Sequence, residues 1–483
     1  MIQLTAALYL TCAVLLAVYT AGTLVLLILS LLPSDDTPSP TLADAPSVTV
    51  QMPIYNEPYV VERLLEAVSR LDYPADRLTL QLLDDSDDAT TTAIAARKVS
   101  ALRQAGHRVQ HIRRAERDGY KAGALAHGMT QSPTTYYAIF DADFVPPPDF
   151  LQRTLPHLQA DEALGMVQGR WGHLNHAQNA LTAAQSIAID GHFVVEQAAR
   201  SQAGLFLNFN GTGGVWRAAC IREAGGWQAT TLTEDFDLSY RAQLCGWRLK
   251  MLPDLLVPGE LPAQLFAFKQ QQFRWAKGST QVLRQMIGAL WRTPEVGLAQ
   301  RVMGTLHLCQ YLPYPLLLLL ALLAPPLLLS GVFTQMPLGF MLFSGVVPPI
   351  LYTVSQARTY ADWARRMLAF PALALVGTGI AFNNTVAMLA ALAGDGGEFR
   401  RTPKAGDRDA WAAFATTNDV IPYIELVLAA YVGWGAWLAW QHAPSAAPYL
   451  SLNALSYGLV AAWSLWEQWR GRQMSKSLHA VRD

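Results

Sequence analysis

The chain has 483 residues, of which 52% are hydrophobic, and a formal net charge of −1. That length allows two or three domains, and near-neutrality argues against a general nucleic-acid binder. The apolar residues are unevenly placed, so membrane segments are expected beside a soluble domain. The four cysteines, Cys12, Cys220, Cys245 and Cys309, lack metal-type spacing. They read as reduced thiols, which puts the soluble part in the cytosol.

Residues 4–32 carry no charge, and this exceeds the roughly 20 residues needed to cross a bilayer. A signal peptide would want a basic start, which Met1-Ile2-Gln3 lacks, so 1–32 reads as a retained anchor. A linker rich in Pro, Ser and Asp follows over 33–47. Residues 48–290 alternate strand-like runs (48–52, 78–83, 108–112, 136–140, 165–168) with helical stretches (59–71, 90–105). This predicts an α/β domain with a mostly parallel central sheet, whose ligands sit at the carboxyl ends of the strands.

The chain then turns apolar again. Residues 291–366 read as an interfacial helix and two spans (309–329, 336–352), and 367–418 as an interfacial or re-entrant segment with a loop. Two more spans (420–440, 449–465) fill 419–469, and 470–483 is a cytosolic tail. This arrangement keeps the soluble domain, the basic stretches 358–366 and 400–408, and Arg470, Arg472 and Lys476 on one side, with the amino terminus outside. Asn383 and Asn384 are awkward in hydrocarbon, which is why 367–393 is not drawn as a crossing.

Asp141-Ala142-Asp143 closes the fourth strand-like run. Residues i and i+2 of an extended chain point the same way. Two like charges so aligned invite a divalent cation holding a diphosphate; a solvated loop is the alternative. Tyr55 and Glu57, at the end of the first strand, are placed to cup a nucleotide base or ribose, or they mark a plain strand-to-helix turn. Within Asp84–Asp88, Asp85 reads as nucleotide-binding, and Asp87 and Asp88 as caps of the next helix. Lys121 opens a helix against the dipole, which a phosphate at the same place would justify; a solvated lysine is the alternative. Asn210, Gly211 and Thr212 form a turn able to approach a ligand closely, or only a turn.

Glu234 and Asp235 stand at a helix start, where an acid normally caps. Inverting glycosyl transfer needs a carboxylate to take the acceptor hydroxyl's proton, and the two roles are compatible. In Gln271-Gln272-Phe273-Arg274-Trp275, the arginine can pair with diphosphate oxygens and the indole can stack on a sugar. The alternative is a surface helix with a buried tryptophan.

These motifs in this order resemble the family 2 glycosyltransferases, in particular the processive cellulose, chitin and hyaluronan synthases. That group carries D, DxD, TED and Q(Q/R)xRW, matched by Asp85, Asp141/Asp143, Thr233-Glu234-Asp235 and Gln271–Trp275. The stretches Gln51–Glu57, Leu83–Ser86, Phe209–Thr212 and Gly259–Pro262 look most like the cellulose synthase-like mannan and glucan synthases and their bacterial relatives. The resemblance implies a GT-A-type nucleotide-binding domain embedded in an α-helical transmembrane region. It implies that Tyr55, Glu57, Asp85, Lys121, Asp141, Gln272 and Arg274 bind the donor. Asp141 and Asp143 would hold Mg2+ or Mn2+, with Asp143 preferred as the direct ligand. Asp235, with Glu234 and Arg274, would catalyse transfer, Asp235 as general base. Asn210, Gly211, Thr212 and Trp275 would meet the acceptor glycan. Phe399, Arg400, Arg401, Thr402 and Lys404 look like the FxVT gating loop, with arginine in place of valine.

The expected enzyme extends a β-linked, β-1,4 hexose polymer and passes it outward through a bacterial inner membrane, its catalytic domain cytoplasmic and among membrane lipids. Both UDP-glucose and GDP-mannose satisfy the pattern. Only a short tail follows Trp469, so no PilZ-type domain is expected in cis. A non-processive glycolipid synthase, similar to ceramide glucosyltransferases, shares most of these motifs. A transporter with a nucleotide-binding domain is a more distant rival.

Overall fold

The structure, a computed structural model, describes residues 1–33, 40–42, 44–394 and 419–482. Phe399, Arg400, Arg401, Thr402 and Lys404 lie outside the described residues.

Helix α1 (Ile2–Leu31) leads into an α/β unit. Its elements are β1 (Val48–Ile54), α2 (Val61–Ser69), β2 (Leu78–Asp84), α3 (Ala89–Gln104), β3 (Val109–Ile112), α4 (Tyr120–Gln131), β4 (Tyr136–Ile139), α5 (Phe150–Ala160) and β5 (Leu164–His173). There follow α6 (Ala180–Asp190), a π-helical stretch Gly191–Gln197, α7 (Ala198–Gln202), β6 (Gly214–Arg217), α8 (Ala218–Glu223), α9 (Glu234–Leu244), β7 (Arg248–Gly259) and α10 (Leu265–Arg292).

The strands form one sheet in the order β3-β2-β1-β4-β6-β5-β7, parallel throughout except for β6. This is the expected mostly parallel sheet, with two strands more than the apolar runs indicate. β6 is only four residues long, and β7 is interrupted by Pro253 and Pro258. Proline cannot donate to a ladder and is tolerated at a sheet edge, where β7 lies.

Register on the other side is pinned by glutamines. Gln51 Nε2 donates to Gln81 Oε1 at 2.9 Å, and Gln81 Nε2 to Gln110 Oε1 at 3.0 Å, one residue from each of β1, β2 and β3. The same amides reach the carbonyls of Leu125 and Gly128, so they also seat α4. Val48, Val50, Met52 and Ile54 fill one core with α2 and α5, while Leu83, Tyr137, Ile139 and Trp216 fill another with α4 and α9. A sheet buried on both faces directs its ligands to the strand ends.

Beyond α10 come α11 (Leu298–Leu308), α12 (Pro313–Leu329), α13 (Met341–Thr359), α14 (Trp363–Arg366), α15 (Phe370–Gly379), α16 (Ala381–Leu392), α17 (Ile421–His442) and α18 (Ala447–Arg482). Among the described residues two helices, α1 and α17, are long and apolar enough to cross a membrane. Two bent pairs would each pass as one span: α11 with α12, bent by 62°, and Trp363–Gly379 with α16, bent by 41°. The asparagines of 367–393 are buried against protein: Asn383 Nδ2 donates to the Lys269 carbonyl at 3.1 Å.

Helices α17 and α18 seat α10. Lys269 Nζ reaches both oxygens of Glu425, at 2.8 and 3.0 Å, and both side chains are buried. Glu467 accepts the Leu265 and Phe266 amides at 2.9 Å each, so a carboxylate from α18 caps the amino end of α10.

Candidate active site

The carboxyl ends of β1, β2, β4, β5 and β7 open into a cleft of about 170 Å3. Tyr55, Glu57, Asp85, Lys121, Asp141, Asp143, Asn210, Gly211, Glu234, Asp235, Arg274 and Trp275 all line it. Residues spread over more than 200 positions of sequence therefore meet at one place.

At the nucleotide end, both Asp85 oxygens are engaged by Arg114, Nε at 2.9 Å and Nη2 at 2.5 Å, in a bidentate pair. Arg114 also donates to the carbonyls of Asp118 and Tyr120, fixing the entry to α4. The Arg117 guanidinium stacks over the Tyr55 ring, 3.3 Å from its centroid. The sequence reading missed Arg114 and Arg117, whose signal was a basic run at the carboxyl end of β3. Asp88 does cap α3, accepting from the Thr91 amide at 2.6 Å. Asp87 does not: it accepts from the Tyr55 hydroxyl at 3.0 Å and from Asn56 Nδ2 at 2.6 Å. It ties the β1 turn to the β2 turn instead.

At the centre, β4 stops at Ile139 and the chain turns, with the Phe144 amide donating to the Asp141 carbonyl at 3.1 Å. Asp141 and Asp143 thus share the cleft through a turn, not through the extended chain the sequence reading assumed. Thr212 accepts from the Asp141 amide at 2.9 Å and is fully buried. It supports Asp141 from behind and does not line the cleft.

Lys121, at the start of α4, donates to Asp141 Oδ1 at 2.6 Å and to the Gly211 carbonyl at 2.8 Å, with Glu234 Oε1 at 3.8 Å. These acceptors account for a cation at a helix start. Burial works to depress the Lys121 pKa, but Asp141, Glu234 and Asp235 outweigh it and hold the ammonium above its ordinary value. Gly211 has φ +86°, and a Cβ there would lie 2.8 Å from Asp235 Oδ2 and 3.3 Å from Lys121 Nζ. Only glycine fits that approach.

Asp235 lies in the first turn of α9. Its Oδ1 accepts from the Phe236 amide at 2.8 Å. Burial, together with the neighbouring charge of Glu234, pushes its carboxyl up to about 7, against the lowering effect of Lys121. The loop before it rests on α10: the Leu232 amide donates to Gln281 Oε1 at 2.9 Å, and Gly278 sits so close to Thr233 that a Cβ would come within 2.6 Å.

Trp275 and Arg274 enter the cleft from α10 with Gln271. Gln272 does not. It lines a second cavity of about 310 Å3 beside the first, one residue around the helix. Trp275, Asp235, Asn210 and Trp171 border both cavities. The second continues between Tyr19 and Thr23 of α1 and Tyr311 ahead of α12 and Tyr314 at its start.

The metal expectation can be weighed on the donor set. Among the described residues no group of three or more His, Cys, Asp or Glu side chains could hold a metal ion. Asp141 and Asp143 alone suit a cation such as Mg2+ or Mn2+, which takes one or two carboxylates and completes its shell with water and phosphate oxygens.

The strand order and the cleft define a GT-A-like nucleotide-binding fold. Residues 45–278 match the family model described as glycosyltransferase like family 2, and the chain carries a domain of that family. Within it, the chain is similar to cellulose synthase-like enzymes. It is 41% identical over 259 residues to glucomannan 4-beta-mannosyltransferase 7 of Arabidopsis thaliana, covering 53% of this chain and 47% of the relative. It is 40% identical over 271 residues to glucomannan 4-beta-mannosyltransferase 1 of Oryza sativa subsp. japonica, covering 56% and 52%. The chain thus spans about half the length of the curated relatives it matches. The solved structure of the mannosyltransferase PcManGT from Pyrobaculum calidifontis, in complex with GDP-Man and Mn2+, has a TM-score of 0.57, covers 80% of this chain and 99% of its own, and is 20% identical. That likeness concerns the fold.

Proposed function

We propose that the chain is a membrane-integrated, inverting hexosyltransferase that extends a β-1,4-linked polysaccharide from GDP-mannose and passes the product outward. The observation that carries this reading is a buried carboxylate at a helix start, Asp235, poised at about pH 7 between a donor cleft and a second cavity. The choice of mannose rests on the names of the relatives and on the ligand of the structural neighbour. The relatives are plant proteins and lend the expected bacterial inner membrane no support.

In this reading the acceptor hydroxyl, held against Trp275, loses its proton to Asp235 as its oxygen attacks the anomeric carbon. The carbon–oxygen bond to the diphosphate breaks, and one displacement inverts the anomeric centre. Lys121 and Arg274 line the cleft where negative charge builds on the departing nucleoside diphosphate. Asp141 and Asp143 would hold a divalent cation there, which supplies further positive charge to the diphosphate. The second cavity, walled partly by α1, is large enough to begin a path for the product.

The test is a donor screen on the purified full chain in detergent with Mn2+, reading nucleotide release and product mass together. A ladder of hexose adducts from GDP-mannose is expected. A single sugar on lipid would replace the polymer reading with a glycolipid synthase. UDP-glucose as the preferred donor would overturn the sugar.

A further inference from the structure

The strand order lays the cleft along the sheet edge. Tyr55 and Asp85 follow β1 and β2, Asp141 and Asp143 follow β4 in the middle, and β5 and β7 close the far end. With a nucleotide over β1 and β2 and its diphosphate at the centre, the hexose falls over β5 and β7. Two residues line the cleft there, His173 at the end of β5 and Glu260 just past β7, on neighbouring strands whose register pairs His173 with Gly259.

Each carries a buried polar atom with no partner among the described residues: Nδ1 of His173 and Oε2 of Glu260. Their other atoms are tightly held. His173 Nε2 is 3.0 Å from Asp190 Oδ1, with the imidazole 2% exposed and the carboxylate fully buried. Asp190 also accepts from Gln356 Nε2 at 2.9 Å and Arg170 at 3.3 Å. Burial alone would raise its pKa, but His173, Gln356 and Arg170 together hold it below the usual carboxylate range. Asp190 is therefore an ionised acceptor that takes the Nε2 hydrogen, which leaves Nδ1 without a partner among the described residues. Glu260 Oε1 is spent on Arg63 at 2.7 Å, which leaves Oε2.

A buried polar atom without a partner calls for an explanation. Two on one wall, one of them a carboxylate oxygen, suit a ligand that offers hydroxyl groups and no negative charge. A diphosphate offers only acceptors, whereas a hexose ring offers hydroxyls. We infer that His173 and Glu260 read hydroxyl groups of the transferred hexose and set its specificity, with Asp190 as the residue that positions His173.

This rests on the hexosyltransferase reading, and the experiment separates the two. The full chain, His173→Ala and Glu260→Gln are assayed with GDP-mannose and its monodeoxy analogues, with GDP affinity measured beside them. The wild type is expected to lose about 100-fold or more in kcat/KM on at least one analogue lacking a hydroxyl that is read. In the variant that no longer reads that hydroxyl, the gap between GDP-mannose and the analogue should close to within about threefold, with GDP affinity retained. A wild type indifferent to every deoxygenation, or variants with the wild-type pattern of penalties, would overturn the inference while leaving the enzyme reading intact. A wild type that turns over no nucleotide hexose would overturn the enzyme reading itself. If His173→Ala does not fold, Glu260→Gln and the wild-type deoxy profile still decide.

Discussion

Asp235 makes the sharpest demand on the chemistry. Its carboxyl sits at about 7, raised first by burial and then by Glu234. As the proposed base it must be ionised, so transfer should rise with pH and reach half its plateau near pH 7, read from the pH profile of kcat/KM. Asp235→Asn should lower the rate by about 100- to 10,000-fold while donor binding persists. The same substitution should alter stability in a definite direction. A folded-state pKa above the ordinary carboxylate value means stability present at low pH and lost as pH rises through 7. The asparagine variant escapes that loss, so its melting temperature should exceed the wild type's at pH 8, with the difference fading towards pH 4. Gly211→Ala should cost on the order of 100-fold in rate, because its Cβ would push against Asp235 and Lys121 under a strained φ of +86°.

The aspartates of the cleft are legible in the sequence because each closes a recognisable strand or opens a recognisable helix. His173 and Arg114 are not. Neither stands in a motif, and each shows its use only through a partner, Asp190 or Asp85, that folding brings beside it.

Among the elements, α10 is the one that joins the two halves of the molecule. It presents Gln271, Arg274 and Trp275 to the cleft and Gln272 to the second cavity, and it supports the loop before Asp235 through Gln281 and Gly278. Its position depends on Lys269 and Glu425. Removing one member of a buried pair costs about 3–5 kcal/mol, since the other charge is left unpaired. Glu425→Gln should therefore lower both the melting temperature and transfer, with GDP binding at Asp85 less affected. The exchange Lys269→Glu with Glu425→Lys should recover part of the loss, as measured in a double-mutant cycle. The helix was legible from its motif, but its clamp was not, because the partners come from apolar stretches that read only as spans. β6 and β7 were missed for related reasons. One is too short to show alternation, and the other has the prolines of an edge strand.

For the whole molecule, a cation held by Asp141 and Asp143 would take only two carboxylates from the described residues. A divalent cation should then bind weakly to the chain alone and tightly only with the nucleotide, a difference that Mn2+ titration by paramagnetic relaxation would read. A chelator should abolish transfer without lowering the melting temperature of the donor-free chain. Asp143→Asn should remove the nucleotide-dependent binding of Mn2+.

The carboxylate that caps α10 lies 202 residues beyond the amide it receives. During synthesis, every residue lining the cleft leaves the ribosome well before Glu425 and Glu467 do. Until α17 and α18 pack against it, the start of α10 lacks its cap and its counter-charge, and Arg274 and Trp275 on the same helix lack that anchor. A chain lacking α17 and α18 would thus keep the Asp85 end of the cleft but have no set place for Arg274 and Trp275. On the proposed function, docking of these helices becomes the event that switches transfer on.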